Sequence, residues 1–302
     1  MKDLFHCCFT SHDEVLFRNP EDVGIFLNLL ALHGYRDNVD ILVDAEMSNH
    51  IHNSIYSEKP QEFMWKLRIS YSRLFNKKYS RHGPLGDPGC FIKRLVGRNH
   101  ACSTLSYVGR NGLHHGLAPT AFGYEFCSAN AWFAEERGIV VTPSLTSRAD
   151  IMSAIPRRYD FPDNYVMDEN GVFLRTSFLA TRMAESYYGT ARNYLFQMNR
   201  PTGEEWLNEQ LRDKEPAPPI RLTDLEPLDS LEILLKNETG KGYRANRLTD
   251  MDVCILIDKE FLPSYGASSV YLLSETQKGH IYKDLSMGMR LPDSQVRRCL
   301  VL

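Results

Sequence analysis

The amino-acid sequence predicts an α+β fold, an antiparallel sheet with helices packed on one face, followed by a mainly helical C-terminal region. Three observations carry this expectation. In the first half, short β-type apolar runs alternate with longer segments of helical periodicity. The connections between successive extended runs are hairpin-short, which favours antiparallel pairing. After Pro143 this pattern loosens, and beyond a proline-rich stretch, Glu215-Pro216-Ala217-Pro218-Pro219, short helical segments take over.

Residues 4–10 read as the first strand, and residues 15–18 as a short return after a Ser11-His12-Asp13-Glu14 turn. A helix follows. Asn19 suits its N-cap, Pro20 its first position, and Glu21 and Asp22 its first turn, while Val23, Phe26, Leu27 and Leu30 recur at helical spacing up to Gly34. Residues 39–47 and 50–56 form the next two strands around a Ser48-Asn49 turn. Pro60 opens a second helix to about residue 80, with Phe63, Leu67, Tyr71 and Leu74 on one side and Lys66, Ser70, Arg73, Lys77 and Arg81 on the other. Residues 90–96 form a fourth strand and 99–111 a third helix. The apolar side of that helix is Ala101, Leu105 and Val108; Tyr107 falls with Ser103, Arg110 and Asn111, and so is expected at the surface.

The 302 residues, 43% hydrophobic and 24% charged, can build a substantial core. No run approaches the roughly 18 apolar residues of a membrane span, and the first residues lack a secretory pattern, so a cytoplasmic protein with no membrane partner is expected. The seven cysteines are odd in number and contain no C-x-x-C pair, which argues against a disulfide framework or a zinc ribbon. Net charge is −3, yet between Glu58 and Arg110 eleven Lys and Arg face three Asp and Glu. Lys66, Arg73, Lys77, Lys78, Arg81, Arg94, Arg98 and Arg110 are thus candidates to contact a polyanion, the alternative being a solvated face.

The central stretch is Met47-Ser48-Asn49-His50-Ile51-His52. On a strand, His50 and His52 share one face while Ile51 packs behind, and two neutral imidazoles can hold one divalent ion; a hydrogen-bonded face satisfies the same spacing. This stretch resembles the M-P-N-H-V-H signature of HUH single-tyrosine transposases, in particular the REP-associated tyrosine transposases. Tyr71-Ser72-Arg73-Leu74-Phe75-Asn76-Lys77-Lys78-Tyr79 is similar to that family's Y-T-R-Y-F-N-x-K-Y helix. Tyr107-Val108-Gly109-Arg110-Asn111-Gly112-Leu113-His114-His115-Gly116-Leu117 resembles its Y-I-x-x-N-P-V-R-A-G-L segment. The resemblance covers roughly residues 1–130. Gly112 replaces the family's proline, Asn53 and Ser54 replace apolar residues, and Phe126-Cys127 replaces a W-S pair.

The resemblance implies a ferredoxin-like catalytic domain over 1–135; the chain's own pattern adds a connector of hairpin and helix over 136–220 and a helical C-terminal domain over 221–302. The resemblance also implies Tyr107 as nucleophile and His50, His52 and Asn111 as ligands of Mg²⁺ or Mn²⁺. The implied activity is metal-dependent cleavage and strand transfer of single-stranded DNA through a 5′-phosphotyrosine, on hairpin or palindromic repeats, with nucleoid association when bound and a homodimer as one arrangement. The alternative is a non-cleaving descendant that binds repeats or regulates. In the second half, residues 165–173 read as a hairpin and 178–198 as a helix. Helical segments follow over 225–235, 249–261, 274–285 and 292–302, the last two resembling a helix-turn-helix around Gly288, with a plain helical bundle as the alternative.

Overall fold

The computed structural model describes residues 1–156, 159–198, 211, 218, 220, 221, 224, 225 and 247–302. Its first half runs β1 (Asp3–Thr10), α1 (Pro20–Arg36), β2 (Asp40–Met47), β3 (His50–Ser57), α2 (Pro60–Tyr79), β4 (Phe91–Arg94), α3 (Gly97–Gly109) and α4 (Asn111–His114). The fold is α+β. Its four strands pair antiparallel in the order β2-β3-β1-β4, with β1 and β3 at the centre. Local chemistry starts α1 as expected, since the Asn19 side chain accepts from the Asp22 N–H and Pro20 takes the first turn. The helix ends at Arg36, past Gly34, because Asn38 takes the left-handed conformation (φ 52°) at its exit. Gly34 has a packing role instead: a Cβ there would lie 2.9 Å from Ile41 Cδ1.

Helices cover both faces of the sheet, which corrects the expectation of one. Cys7, Phe9, Ile51 and Ile55 pack with Phe26 and Leu30 of α1 and Phe63, Leu67 and Phe75 of α2. Val43 and Ala45 pack on the other side with Leu105 and Val108 of α3. Accordingly β3 is buried along nearly its whole length. The second face escapes a hydrophobicity reading because its central strands present His6, Cys8, His50 and His52 there.

Residues 15–18 are not a strand. Leu16 and Phe17 donate their N–H groups to the Ser48 carbonyl, Val15 enters the core of the C-terminal helices, and the fully buried Arg18 binds Asp258 (2.7 Å) and the Cys299 carbonyl (3.0 Å). This segment pairs with residues more than two hundred positions away, a partnership no local pattern announces.

The connector is built into both cores: Ile151, Ile155, Phe161 and Phe173 join the first, and Ala184, Tyr188 and Tyr194 the second. The expected hairpin is reduced to an isolated bridge between Met167 and Phe173, turned by Asp168, whose Oδ1 accepts from the N–H groups of Asn170 and Val172. The single helix expected over 178–198 is divided into Thr181–Ser186 and Ala191–Met198, with Gly189 at φ 79° between them. The linker at 215–219 and the helix expected over 225–235 fall mainly outside the described residues.

The C-terminal helices Asp250–Leu256, Glu275–Lys283 and Asp293–Leu300 surround Val253, Ile257, Ile281, Leu285 and Val296. Thr249 and Ser274 close capping boxes at the first two. Among the described residues no helix is long and apolar enough to cross a membrane, and no disulfide joins the seven cysteines.

One core position is conspicuously unsatisfied. Asn53 is fully buried on β3, and neither atom of its amide has a hydrogen-bond partner. An orphaned buried polar group costs about 1–3 kcal/mol, so Asn53→Val should raise stability by roughly that amount. Chemical denaturation checks it; a lower midpoint for the variant would contradict the account.

Candidate functional site

The polar row on the second sheet face meets α3 and α4. The His50 and His52 rings lie 5.1 Å apart between centroids, and the Tyr107 ring stands 5.5 Å from His52 at 89°. His6 stacks on His52 at 5.2 Å and meets the edge of Tyr107 at 6.5 Å; His114 lies 6.2 Å from Tyr107 and His115 5.2 Å from His50. One chain therefore brings the two histidines and the tyrosine together, with Asn111 one helical turn beyond Tyr107.

The depth of this cluster differs from expectation. Tyr107 is 3% exposed, and His52, His6 and Asn111 are fully buried. The side that looks like a solvent face in a helical-periodicity reading is buried at Ser103, Tyr107 and Asn111, as the apolar side of α3 is. It lies over a sheet row that is itself polar, so polarity here marks an internal site.

Hydrogen bonds orient the imidazoles. Nδ1 of His50 is 3.0 Å from Asn49 Oδ1, which makes it the protonated nitrogen and turns Nε2 into the ring's lone-pair donor. Nε2 of His6 lies between the Leu225 carbonyl (3.0 Å) and Nδ1 of His52 (3.3 Å). Sequence reasoning misses His6, because its place beside His52 depends on the register of β1 against β3, where His6 faces Ser54 and Cys8 faces His52.

Among the described residues, no three His, Cys, Asp or Glu side chains are grouped to hold a metal ion. A cation beside His50 and His52 would thus draw on an amide. Asn111 fits that part: its Nδ2 donates to the Tyr107 carbonyl at 3.3 Å, and its buried Oδ1 accepts no hydrogen bond. The set is two imidazole nitrogens and one amide oxygen, borderline donors that suit Mn²⁺ more readily than Mg²⁺.

The basic residues are arranged differently. α2 packs on the face opposite the cluster, and acids from its own first turn and from elsewhere in the chain meet the cations of this region. Lys66 pairs with Glu62 (2.7 Å) and Asp37, Lys78 with Glu21 (2.7 Å) and Asp22 (2.8 Å), and Arg81 forms a two-pronged bond to Glu14. Arg94 pairs with Asp3, and Arg98 donates to the Tyr187 carbonyl. Arg73 and Lys77 are exposed, and Arg110 follows Tyr107 at the α3–α4 junction. The positive excess between residues 58 and 110 is thus largely balanced in three dimensions, and of these eight only Arg98 and Arg110 lie on or at the end of the helix that carries the tyrosine.

Gly112 has a steric explanation. A Cβ on it would sit 2.3 Å from Tyr124 Cβ, so no larger residue fits while Tyr124 keeps its place and donates to the Glu46 carbonyl (2.7 Å).

Behind the sheet, Arg175 bridges two buried acids of β2, Asp44 (2.9 Å) and Glu46 (2.8 Å). Burial and then the neighbouring Asp44 charge push the Glu46 carboxyl well above the usual range, against the opposing pull of Arg175. A group whose folded pKa is raised contributes stability that is complete below its unfolded pKa, near 4.5, and is lost as pH rises through the folded value. Glu46→Gln mimics the protonated form. It should match the parent at about pH 4 and exceed it increasingly toward about pH 8, read as urea midpoints across that window. A gap that does not widen with pH would show that Glu46 is ionised in the folded protein.

The chain matches no known family model, and a comparison with curated proteins returns no match.

Proposed function

We propose that this chain nicks and rejoins single-stranded DNA by transesterification at Tyr107. One observation carries the reading: Tyr107 on α3 and the His50–His52 pair on β3 converge within a single chain on one sheet face. The β1-α1-β2-β3-α2-β4 connectivity with strand order β2-β3-β1-β4 supports a ferredoxin-like domain, and hence the resemblance to HUH single-tyrosine transposases. Because the tyrosine faces histidines of its own chain, the chemistry needs no residue from a second copy.

In the reaction, Tyr107 gives its phenolic proton to a flanking imidazole, His6 or His114. Its oxygen attacks the phosphorus, the P–O3′ bond breaks, and the departing oxygen takes up a proton as a free 3′-hydroxyl. The product is a 5′-phosphotyrosine, and attack by another 3′-hydroxyl reverses the step and joins a new strand. His50, His52 and Asn111 would hold a divalent cation, Mn²⁺ or Mg²⁺, which supplies positive charge to the phosphoryl oxygens. Burial of the tyrosine keeps water from the ester once formed. Arg110, at the end of the helix that carries Tyr107, is the cation best placed to attract the strand, whereas Arg73 and Lys77 are exposed on the far side of the sheet.

A second reading, a DNA-binding protein that does not cut, is favoured by the same depth: the phenol must be reached by a phosphate although only 3% of Tyr107 is exposed. Incubating the full chain with Mn²⁺ and 3′-labelled hairpin DNA separates the two. Transesterification predicts label that stays on the protein under denaturing conditions; binding without any such label across a panel of hairpins supports the second reading.

A further inference from the structure

A cavity of about 450 Å³ lies between the β2–β3 turn and the C-terminal helices. That volume is within the ~300–1,000 Å³ of small-molecule sites. His50 and His115 line it on one side, so it abuts the tyrosine cluster through a ring the two share. Met251 and Ile255, four residues apart on one face of the Asp250–Leu256 helix, form the opposite wall. Tyr124 and Phe126 add aromatic surface, their rings 5.7 Å apart and nearly perpendicular.

The polar lining disfavours a phosphate. Arg298 binds Asp250 Oδ2 (2.8 Å), which also accepts from Ser48 Oγ (2.7 Å), so this cation is neutralised where it stands. Glu125 and Asp252 add further carboxylates against Arg247. Flat apolar walls beside hydrogen-bond acceptors suit an uncharged heteroaromatic ring that carries N–H donors. Carboxylates read exocyclic amino groups of bases in the same way at protein–DNA interfaces.

We infer that this cavity receives an unstacked base of the DNA strand next to the scissile phosphate, and favours bases with an exocyclic amino group over thymine. The base-binding part rests on the cavity itself; its position next to the cut rests on the transesterification reading. The C-terminal wall lies outside residues 1–130, so the helical region would supply base preference that the catalytic part does not.

The test uses the full chain and the four deoxynucleoside 5′-monophosphates, with deoxyribose 5-phosphate as a baseless control, followed by ligand-observed NMR. dAMP, dCMP and dGMP should bind at least about tenfold tighter than dTMP, the lower part of the range for one well-made base contact, and the control should show no binding. Ile255→Trp fills the cavity and should weaken the three by about tenfold or more. Photo-crosslinking of the unaltered chain with azido-dAMP gives a readout independent of any variant, and should label peptides containing Tyr124, Phe126, Met251 or Ile255. Equal affinity for all four nucleotides, a control that binds as well, a folded Ile255→Trp chain that binds as before, or label elsewhere each overturns the inference. Adduct formation on hairpin DNA distinguishes the two failures. Nucleotides bound in the cavity without any adduct preserve the base site and remove the chemistry; an adduct with no base discrimination does the reverse.

Discussion

Tyr107→Phe is expected to abolish the covalent protein–DNA species, by more than about a thousandfold, because phenylalanine keeps the ring and its packing but has no oxygen to form the ester. The Tyr107 ring fills space beside His52 and His6, and phenylalanine occupies nearly the same volume. Stability should therefore stay within about 1 kcal/mol of the parent, the range of a single lost hydrogen bond. The measurement is label retained on protein after denaturing electrophoresis, alongside a thermal melt. Retention by the phenylalanine variant would assign the attack to a different residue. A label-free variant that still binds the hairpin would separate the grip on DNA from the cut.

The largest effect on stability is expected at Arg18. Its guanidinium is fully buried, ion-paired with Asp258 and hydrogen-bonded to the Cys299 carbonyl at the end of the last helix. Arg18→Met keeps much of the side-chain volume but leaves Asp258 and that carbonyl without their donor. Breaking a buried pair costs about 3–5 kcal/mol, and because Asp258 is 26% exposed the lower end, about 3 kcal/mol, applies. Denaturant unfolding should show the loss, and limited proteolysis should find the C-terminal helices cut first. The double variant with Asp258→Asn should recover part of the difference, since the uncompensated charge is gone. A loss no larger than that of an exposed arginine would mean that the remaining contacts, those of Val15 and the Ser48–Asp250 hydrogen bond among them, hold the C-terminal helices in place.

What the sequence disclosed follows from how local each signal is. The start of α1 was legible because Asn19, Pro20 and Asp22 act on one another within a single turn. The shared face of His50 and His52 was legible because alternation along a strand needs no partner. Tyr107 was misplaced at the surface for the opposite reason: a helical wheel weighs polarity and cannot know that a polar sheet row lies beneath. His6 stayed hidden until β1 was set against β3. The cations of α2 looked unbalanced because Glu14, Glu21, Asp22 and Asp37 are distant in sequence from the stripe they neutralise. The C-terminal helices over 249–261, 274–285 and 292–302 were expected roughly where they occur, and Thr249 and Ser274 cap two of them through bonds within a single turn. Their seat against Val15 and Arg18 is a tertiary fact with no local trace.

Ser48 opens the two-residue turn that leads directly into His50. Its carbonyl receives Leu16 and Phe17, and its hydroxyl donates to Asp250. Displacing the C-terminal helices would strain the same peptide that sets the pitch of the imidazole pair. Under the metal-dependent reading proposed above, a molecule that favours cation binding by tightening the distant helices on this turn would itself be favoured by the cation to the same extent, by thermodynamic reciprocity.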